Sequence, residues 1–179
     1  MRIFPLISIG LAALAMAAAP VAAQQSTGQG NRAAAPQVVI AFDDPTITRL
    51  LTDIQATWRV EANEQGGINY RASADGGLNF TLAPRACSPE NGCLGLMILA
   101  VFTAVDTSDQ TQIDAFLNDL NDQSATAKVY RSGNGVVILQ AYINSSYGIS
   151  YGNAQAQLLI FGQNIVSVRQ ALSAFESGA

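Results

Sequence analysis

Hydrophobic residues recur at two different spacings along this chain. In some segments they recur every three or four residues, which is typical of helices, and in others at every second residue, which is typical of strands. Asp43-Asp44-Pro45 supplies a capping carboxylate and a proline suited to the first helical turn, and predicts a helix over 45–57. A second apolar stripe of helical spacing runs from Ile113 to Leu120 behind cap candidates in 106–109. A third, the longest, predicts a helix over 153–176 that ends near Gly178.

Five other segments predict strands, separated by turn signals such as Asp75-Gly-Gly77. They cover 68–72, 78–84, 94–102, 127–131 and 136–143. The segment Trp58–Asn63 fits either a continuation of the first helix or a short strand. The order is therefore α-β-β-β-α-β-β-α, which predicts an α+β fold with an antiparallel sheet of about five strands flanked by three helices.

Two of the predicted strands are apolar on both faces. In Leu94–Phe102, Leu96 and Ile98 point to one side, while Leu99 and Val101 point to the other. The strand over 136–143 shows the same property. Strands with two apolar faces are typical of central positions covered on both sides. We therefore expect the strand after Cys93 to lie at the centre of the sheet, with helices or a partner on its second side.

The N-terminus has the layout of a secretory signal peptide: Met1-Arg2, an apolar stretch rich in Ala, and small residues before Gln24. We predict a signal peptide over 1–23 with cleavage between Ala23 and Gln24, although 3–23 could also just span a bilayer as a retained anchor. A flexible leader is expected over 24–42 and a single domain over 43–177. The predicted location is periplasmic or secreted, with no membrane association once the signal is removed.

Cys87 and Cys93 flank a turn that contains Pro, Asn and Gly. In an oxidising compartment such a pair usually forms a disulfide, and its short loop stabilises the fold by only about 2 kcal/mol. The alternative is a redox or metal pair. Catalytic redox pairs are typically spaced Cys-x-x-Cys, and a zinc site would need further ligands that a chain with no histidine hardly offers. A structural disulfide is the favoured interpretation.

The search for chemistry finds no catalytic, cofactor-binding or metal-binding residues, and the chain is predicted not to be an enzyme. Without histidine, nucleophile systems that use it as a base are excluded. The carboxylate pair Asp43/Asp44 is interpreted as a helix cap and Asp119/Asp122 as a solvated helix face. The formal net charge is −4 and Lys128 is the only lysine, so nucleic-acid binding is not expected.

Three tyrosines near the start of the last helix, Tyr142, Tyr147 and Tyr151, have two interpretations. In a Ser/Tyr/Gly loop they could form an adaptable binding surface, because tyrosine contributes contact area at low entropic cost. The alternative is an ordinary connection from strand to helix with the rings packed at its rim. The second interpretation is favoured.

Several of these segments together resemble the YbjN family of bacterial proteins. They are Leu78-Asn-Phe-Thr-Leu, the Cys87/Cys93 turn, Leu94–Phe102, Ile113–Leu120 and Ala127-Lys-Val-Tyr-Arg131. The resemblance covers roughly Asp44 to Phe175. The chain departs from it in the second helix, where Phe116-Leu117-Asn118 stands in place of a Trp-Asn pair found in many members.

The resemblance implies a fold similar to type III secretion chaperones, commonly dimeric, and a non-enzymatic binding or regulatory role. Together with the two-faced strands, it favours an exported binding module, expected to be a homodimer, that engages a protein or peptide partner in the cell envelope. The alternative hypothesis is an envelope carrier that holds a small apolar ligand between sheet and helices.

Overall fold

The structure of the chain is a computed structural model that describes residues 37–64, 66–103 and 109–178. The predicted signal peptide, with its cleavage site at Ala23 and Gln24, lies outside these residues, as does the leader up to residue 36. Residues 37–42, which the sequence assigns to the leader, belong to the fold. Val38–Val39 form strand β1, and the side chain of Phe42 is buried.

The first helix, α1, covers Asp44–Asp53 and begins as predicted, since the Asp43 carboxylate accepts a hydrogen bond from the backbone N–H of Thr46 at 3.0 Å. It ends earlier than predicted because Gln55 adopts a left-handed backbone conformation with φ of 58°. The chain then turns directly into strand β2, Thr57–Ala62. The segment that the sequence left open between helix and strand is therefore a strand.

The main sheet has six antiparallel strands in the order β2-β3-β4-β5-β7-β6, one more than the predicted number because of β2. The α+β class is confirmed, and β5 is internal, between β4 and β7. Strand β1 pairs with β8 in a separate two-stranded sheet. The remaining strands are β3 Ile68–Ala74, β4 Leu78–Ser88, β5 Gly92–Phe102, β6 Lys128–Arg131, β7 Val137–Asn144 and β8 Ile149–Ser150.

The other two helices are α2, Gln110–Asp122, and α3, Tyr151–Ser177. Helix α3 ends where Gly178 takes a left-handed conformation that favours glycine. Its predicted apolar stripe is confirmed, because all its buried side chains follow a spacing of three or four. These are Tyr151, Ala154, Leu158, Phe161, Ile165, Val168 and Leu172.

The described helices pack on one side of the sheet. Their buried side chains form a single core with alternate residues of the strands from β3 to β7. The strand residues in this core are Tyr70, Ala72, Phe80, Leu82, Leu96, Ile98, Ala100, Val129, Val137, Leu139 and Ile143. Directly opposite residues of an antiparallel sheet share a face, and the register places all of these on the same one. Of the two covers expected for the second face of β5, helices or a partner, the described helices do not provide one.

Two buried tyrosines attach α1 to the rest of the fold. The Tyr70 hydroxyl on β3 donates to the Asp44 carboxylate at 2.7 Å, and the Tyr151 hydroxyl of α3 donates to Asp53 at 2.7 Å. Burial, together with the hydrogen bond to Asp53, raises the pKa of Tyr151 to about 12. Burial and Asp44 likewise raise the pKa of Tyr70. Both phenols therefore remain neutral donors across the ordinary pH range.

The amide side chain of Asn121 on helix α2 binds the outer backbone of the edge strand β6. Asn121 donates to the Val129 carbonyl and accepts from the Val129 N–H, both at 2.8 Å. These bonds satisfy outward-facing backbone groups of a strand that has β7 on one side only. The Asn121 side chain therefore takes the place of a missing neighbouring strand at this edge.

We expect Asn121→Ala to lower the free energy of unfolding by about 2 kcal/mol, because it leaves a backbone donor and acceptor of β6 without partners. Chemical denaturation measures the effect. Asn118→Ala is the matched control, since Asn118 is exposed on the same helix, and it should stay within about 0.5 kcal/mol of the wild type. Equal effects of the two substitutions would contradict the role assigned to Asn121.

The structure joins Cys87 to Cys93 by a disulfide across the end of the β4–β5 hairpin, where the two residues are directly opposite each other. The bond closes a loop with a sequence separation of 6, so its effect on the unfolded chain is small. It connects the central strand β5 to β4 at the point where the hairpin leaves the sheet.

We expect the double variant Cys87→Ser/Cys93→Ser to fold and to lose about 2 kcal/mol of unfolding free energy, because the unfolded chain gains the freedom of the opened loop. Denaturation under oxidising conditions measures this loss. Adding reductant should bring the wild type to the level of the variant and leave the variant unchanged. A variant as stable as the oxidised wild type would show that the disulfide contributes nothing.

Candidate binding face of the sheet

The side of the six-stranded sheet opposite the helices is called the open face here. One row of directly opposite residues crosses all six strands of this face: Arg59, Arg71, Thr81, Leu99, Gln140 and Lys128. The residues two or four positions away along the same strands complete the open face. They are Thr57, Glu61, Asn69, Ser73, Asn79, Ala83, Arg85, Gly95, Met97, Val101, Tyr130, Ile138, Tyr142 and Asn144.

The open face carries an apolar strip on its central strands β5 and β7. Val101 is 66% exposed, and its direct neighbour Ile138 is half-buried, as are Leu99 and Met97. Isolated exposed apolar residues are common on protein surfaces, but contiguous ones mark interaction sites. The strip is contiguous because the four residues occupy adjoining positions of two paired strands.

Two tyrosines flank this strip. Tyr142 is 48% exposed, and its ring lies over Gly95 so closely that a Cβ at residue 95 would be 1.8 Å from the tyrosine oxygen. Gly95 is therefore required for this position of the ring. On the other side, Tyr130 of β6 donates from its hydroxyl to Gln140 at 3.1 Å. Both rings present flat, amphipathic surfaces beside the apolar strip.

Positive charge is concentrated on the open face. Four of the seven Lys and Arg residues in the described ranges belong to it: Arg59, Arg71, Arg85 and Lys128. Glu61 is the one acidic residue within the described strands of the sheet. The other described carboxylates lie on helices, at their caps or in turns. A chain that is acidic as a whole therefore has a basic sheet surface.

Glu61 lies between two arginines. Its carboxylate is 2.8 Å from Nε of Arg59 and 2.6 Å from Nε of Arg71. The hydrogen bond from Arg59 is the main cause that lowers the pKa of Glu61, and the charge of Arg71 acts in the same direction. Arg59 and Arg71 are directly opposite each other, so this carboxylate separates two like charges at the start of the row.

A groove of about 580 Å³ crosses the open face from β2 to β5. Its lining includes Arg59, Arg71, Thr81, Leu99 and Val101. The groove therefore combines guanidinium and hydroxyl groups at one end with the apolar strip at the other. An extended or helical segment with both carboxylate and apolar side chains has complementary chemistry.

The residues singled out from the sequence do not meet at this face. Tyr147 is fully exposed in a loop, Tyr151 is buried against α1, and Tyr142 alone belongs to the open face. Asp119 and Asp122 are exposed on α2, as predicted. Within the described residues, no cluster of side chains suits a metal ion. No helix among them is long and apolar enough to cross a membrane.

Sequence reasoning missed the four basic residues as a group. Each occupies a polar position of an alternating strand, which is the ordinary pattern of a solvated face. The feature that could have revealed them is that they lie on the same face of the sheet as the apolar residues Leu99 and Val101. This shared face can be recognised only when strand order and register are known.

The comparisons with known proteins agree with the fold. No curated protein matches the chain. Among solved structures, the crystal structure of YbjN from E. coli, described as "a putative transcription regulator", is similar with a TM-score of 0.56 and 14% sequence identity, and the match covers 79% of this chain and 96% of that one. The family model of YbjN, described as "Putative bacterial sensory transduction regulator", matches residues 44–174. The predicted resemblance is therefore confirmed, and the chain belongs to the YbjN family.

Proposed function

We propose that this chain is an exported, non-catalytic regulatory module of the cell envelope that forms a dimer and engages a protein or peptide partner through its open face. The family description as regulators supports the regulatory part. The observation that carries the proposal is the contiguous apolar strip of the open face, which no described helix covers.

The strip favours a macromolecular partner because it is broad and shallow. Met97, Leu99, Val101 and Ile138 extend over two strands, with Tyr130 and Tyr142 at the borders. Covering them removes apolar surface from water at about 25 cal/mol per Å². Tyrosine and arginine beside an apolar centre are also the residue types enriched at protein interfaces.

The charge of the face specifies the chemistry of this partner. Arg71, Arg85 and Lys128 surround the strip, and Glu61 is the one carboxylate among the described residues of this face. An acidic segment with interspersed apolar residues would pair with both features. Opposite charges at such a border raise the association rate and favour the correct partner.

The proposal is tested with Val101→Glu and Arg71→Glu, each carried by the tagged chain after export in its host. Val166→Glu is the matched control, because Val166 is 40% exposed on α3, away from the sheet face. Partners are captured from envelope extract and identified, and their affinity for each variant is then measured. We expect both open-face variants to bind at least about tenfold more weakly than the control.

Binding by the Arg71 variant should also differ in its salt dependence, since it loses an attraction that salt screens. A partner that binds all three variants with equal affinity would show that the open face is not the binding site. Circular dichroism confirms that each variant remains folded.

A second candidate function is the transport of a small apolar ligand. It is favoured by a groove of about 420 Å³ between α3 and β7. Ile98, Ile143 and Phe161 line its floor, and Asn153, Gln157 and Asn164 add amide groups. Ligand pockets commonly have this composition, with apolar walls and a few polar groups that orient the ligand.

A carrier should retain its ligand through gentle purification. If the groove has this function, native mass spectrometry of the chain purified from its host shows a bound mass, and Phe161→Trp, which fills the groove, lowers its occupancy. A protein that carries no bound mass in the wild type would contradict the carrier function.

A further inference from the structure

We propose that two copies of this chain pair along their β2 strands, with Val60 of one copy opposite Val60 of the other, to form one continuous antiparallel sheet of both protomers. This inference deepens the dimeric part of the proposed function and rests on it. It specifies the edge, the register and the charge pairs that join the copies.

The two edges of the sheet differ in a way that points to β2. Strand β6 is four residues long, and the Asn121 side chain satisfies its outer backbone at Val129. Strand β2 is six residues long and pairs with β3 in six consecutive positions without a bulge. No described strand pairs with its outer side. A regular, unpaired edge strand is a template for pairing with another chain.

The side chains of β2 also favour pairing, because two of them are apolar and exposed. Trp58 and Val60 lie on the helix side of the sheet, and Val60 is 51% exposed. Proteins usually protect an open edge with proline, a bulge or charged side chains, and β2 has neither proline nor a bulge. Its charged residues, Arg59 and Glu61, instead alternate with the apolar ones.

The sequence of β2 is self-complementary around Val60. A two-fold axis perpendicular to the sheet must pass between two copies of the same residue, so the possible registers are few. Centring on Val60 places Arg59 opposite Glu61 of the other copy, twice, and Trp58 opposite Ala62. Centring on Arg59 or on Glu61 would instead place like charges directly opposite each other, which is unfavourable.

The new ion pairs also extend a feature of the single chain. Arg59 has Arg71 directly opposite on β3, and Glu61 lies between these two guanidinium groups. In the dimer, each Arg59 would have the Glu61 carboxylate of its own copy on one side and that of the other copy across the junction. Because Arg59 and Glu61 belong to the open face, pairing also makes the two open faces one surface.

Charge reversal tests the register. In Arg59→Glu alone and in Glu61→Arg alone, both intermolecular pairs become repulsive, so each variant should be monomeric where the wild type is a dimer. The expected rise in the dissociation constant is at least about tenfold. An equimolar mixture of the two variants places opposite charges across the junction again and should form a heterodimer. Size-exclusion chromatography with light scattering on the full chain measures all four samples.

The mixture guards against misfolding, because only folded variants can complement each other. A cysteine scan gives an independent readout of the register. Val60→Cys should form an intermolecular disulfide on mild oxidation, since directly opposite residues have Cβ atoms about 5 Å apart. Ile68→Cys is the control, because Ile68 is 43% exposed on the same side of the sheet but belongs to β3.

The outcomes separate this inference from the proposed function. A wild type that is strictly monomeric at high micromolar concentration overturns both the pairing and the dimeric part of the proposed function. A wild type that is dimeric, with variants that stay dimeric alone or fail to form a heterodimer, overturns the β2 pairing only. Binding of a partner to the open face is measured separately and does not depend on either result.

Discussion

The one-sided packing of the helices on the sheet is the constraint on which the rest of this structure depends. Helix α3 crosses the sheet with seven buried residues, and α1 and α2 complete the same layer. Alternate residues of the strands from β3 to β7 become core as a result. The residues between them become a surface, whatever their character, and several of them on β5 and β7 are apolar.

This division also separates the charges. Helix α2 contains Asp114, Asp119 and Asp122 and no basic residue, while the strands contain most of the described basic residues and one acidic residue. Two of the three described basic residues outside the open face lie in ion pairs, Arg49 with Asp53 at 3.8 Å and Arg131 with Asp114 at 3.1 Å. The open face is therefore basic in an acidic protein, and the proposed acidic partner segment would be complementary to it.

Much of the fold was predictable from the sequence because it depends on local patterns. The Asp43 cap, the stripe of α3 and the glycine turn at Asp75-Gly-Gly77 each involve residues close together in the chain. The alternation of β4 and the doubly apolar β5 also predicted the antiparallel sheet and its central strand. These features are set by side-chain periodicity and backbone preference, which a single sequence contains.

Other features depend on contacts between residues far apart in the chain. They are the side on which the helices pack, the role of Asn121 and the basic open face. The sequence could not decide between helices and a partner as the cover on the second side of β5, because periodicity shows that a face is apolar but not what lies against it. The role of Asn121 depends on strand β6, which lies beside α2 only in the assembled fold. Arg59, Arg71 and Lys128 form one row only through the pairing of six strands, because register is a property of the assembled sheet and not of any one segment.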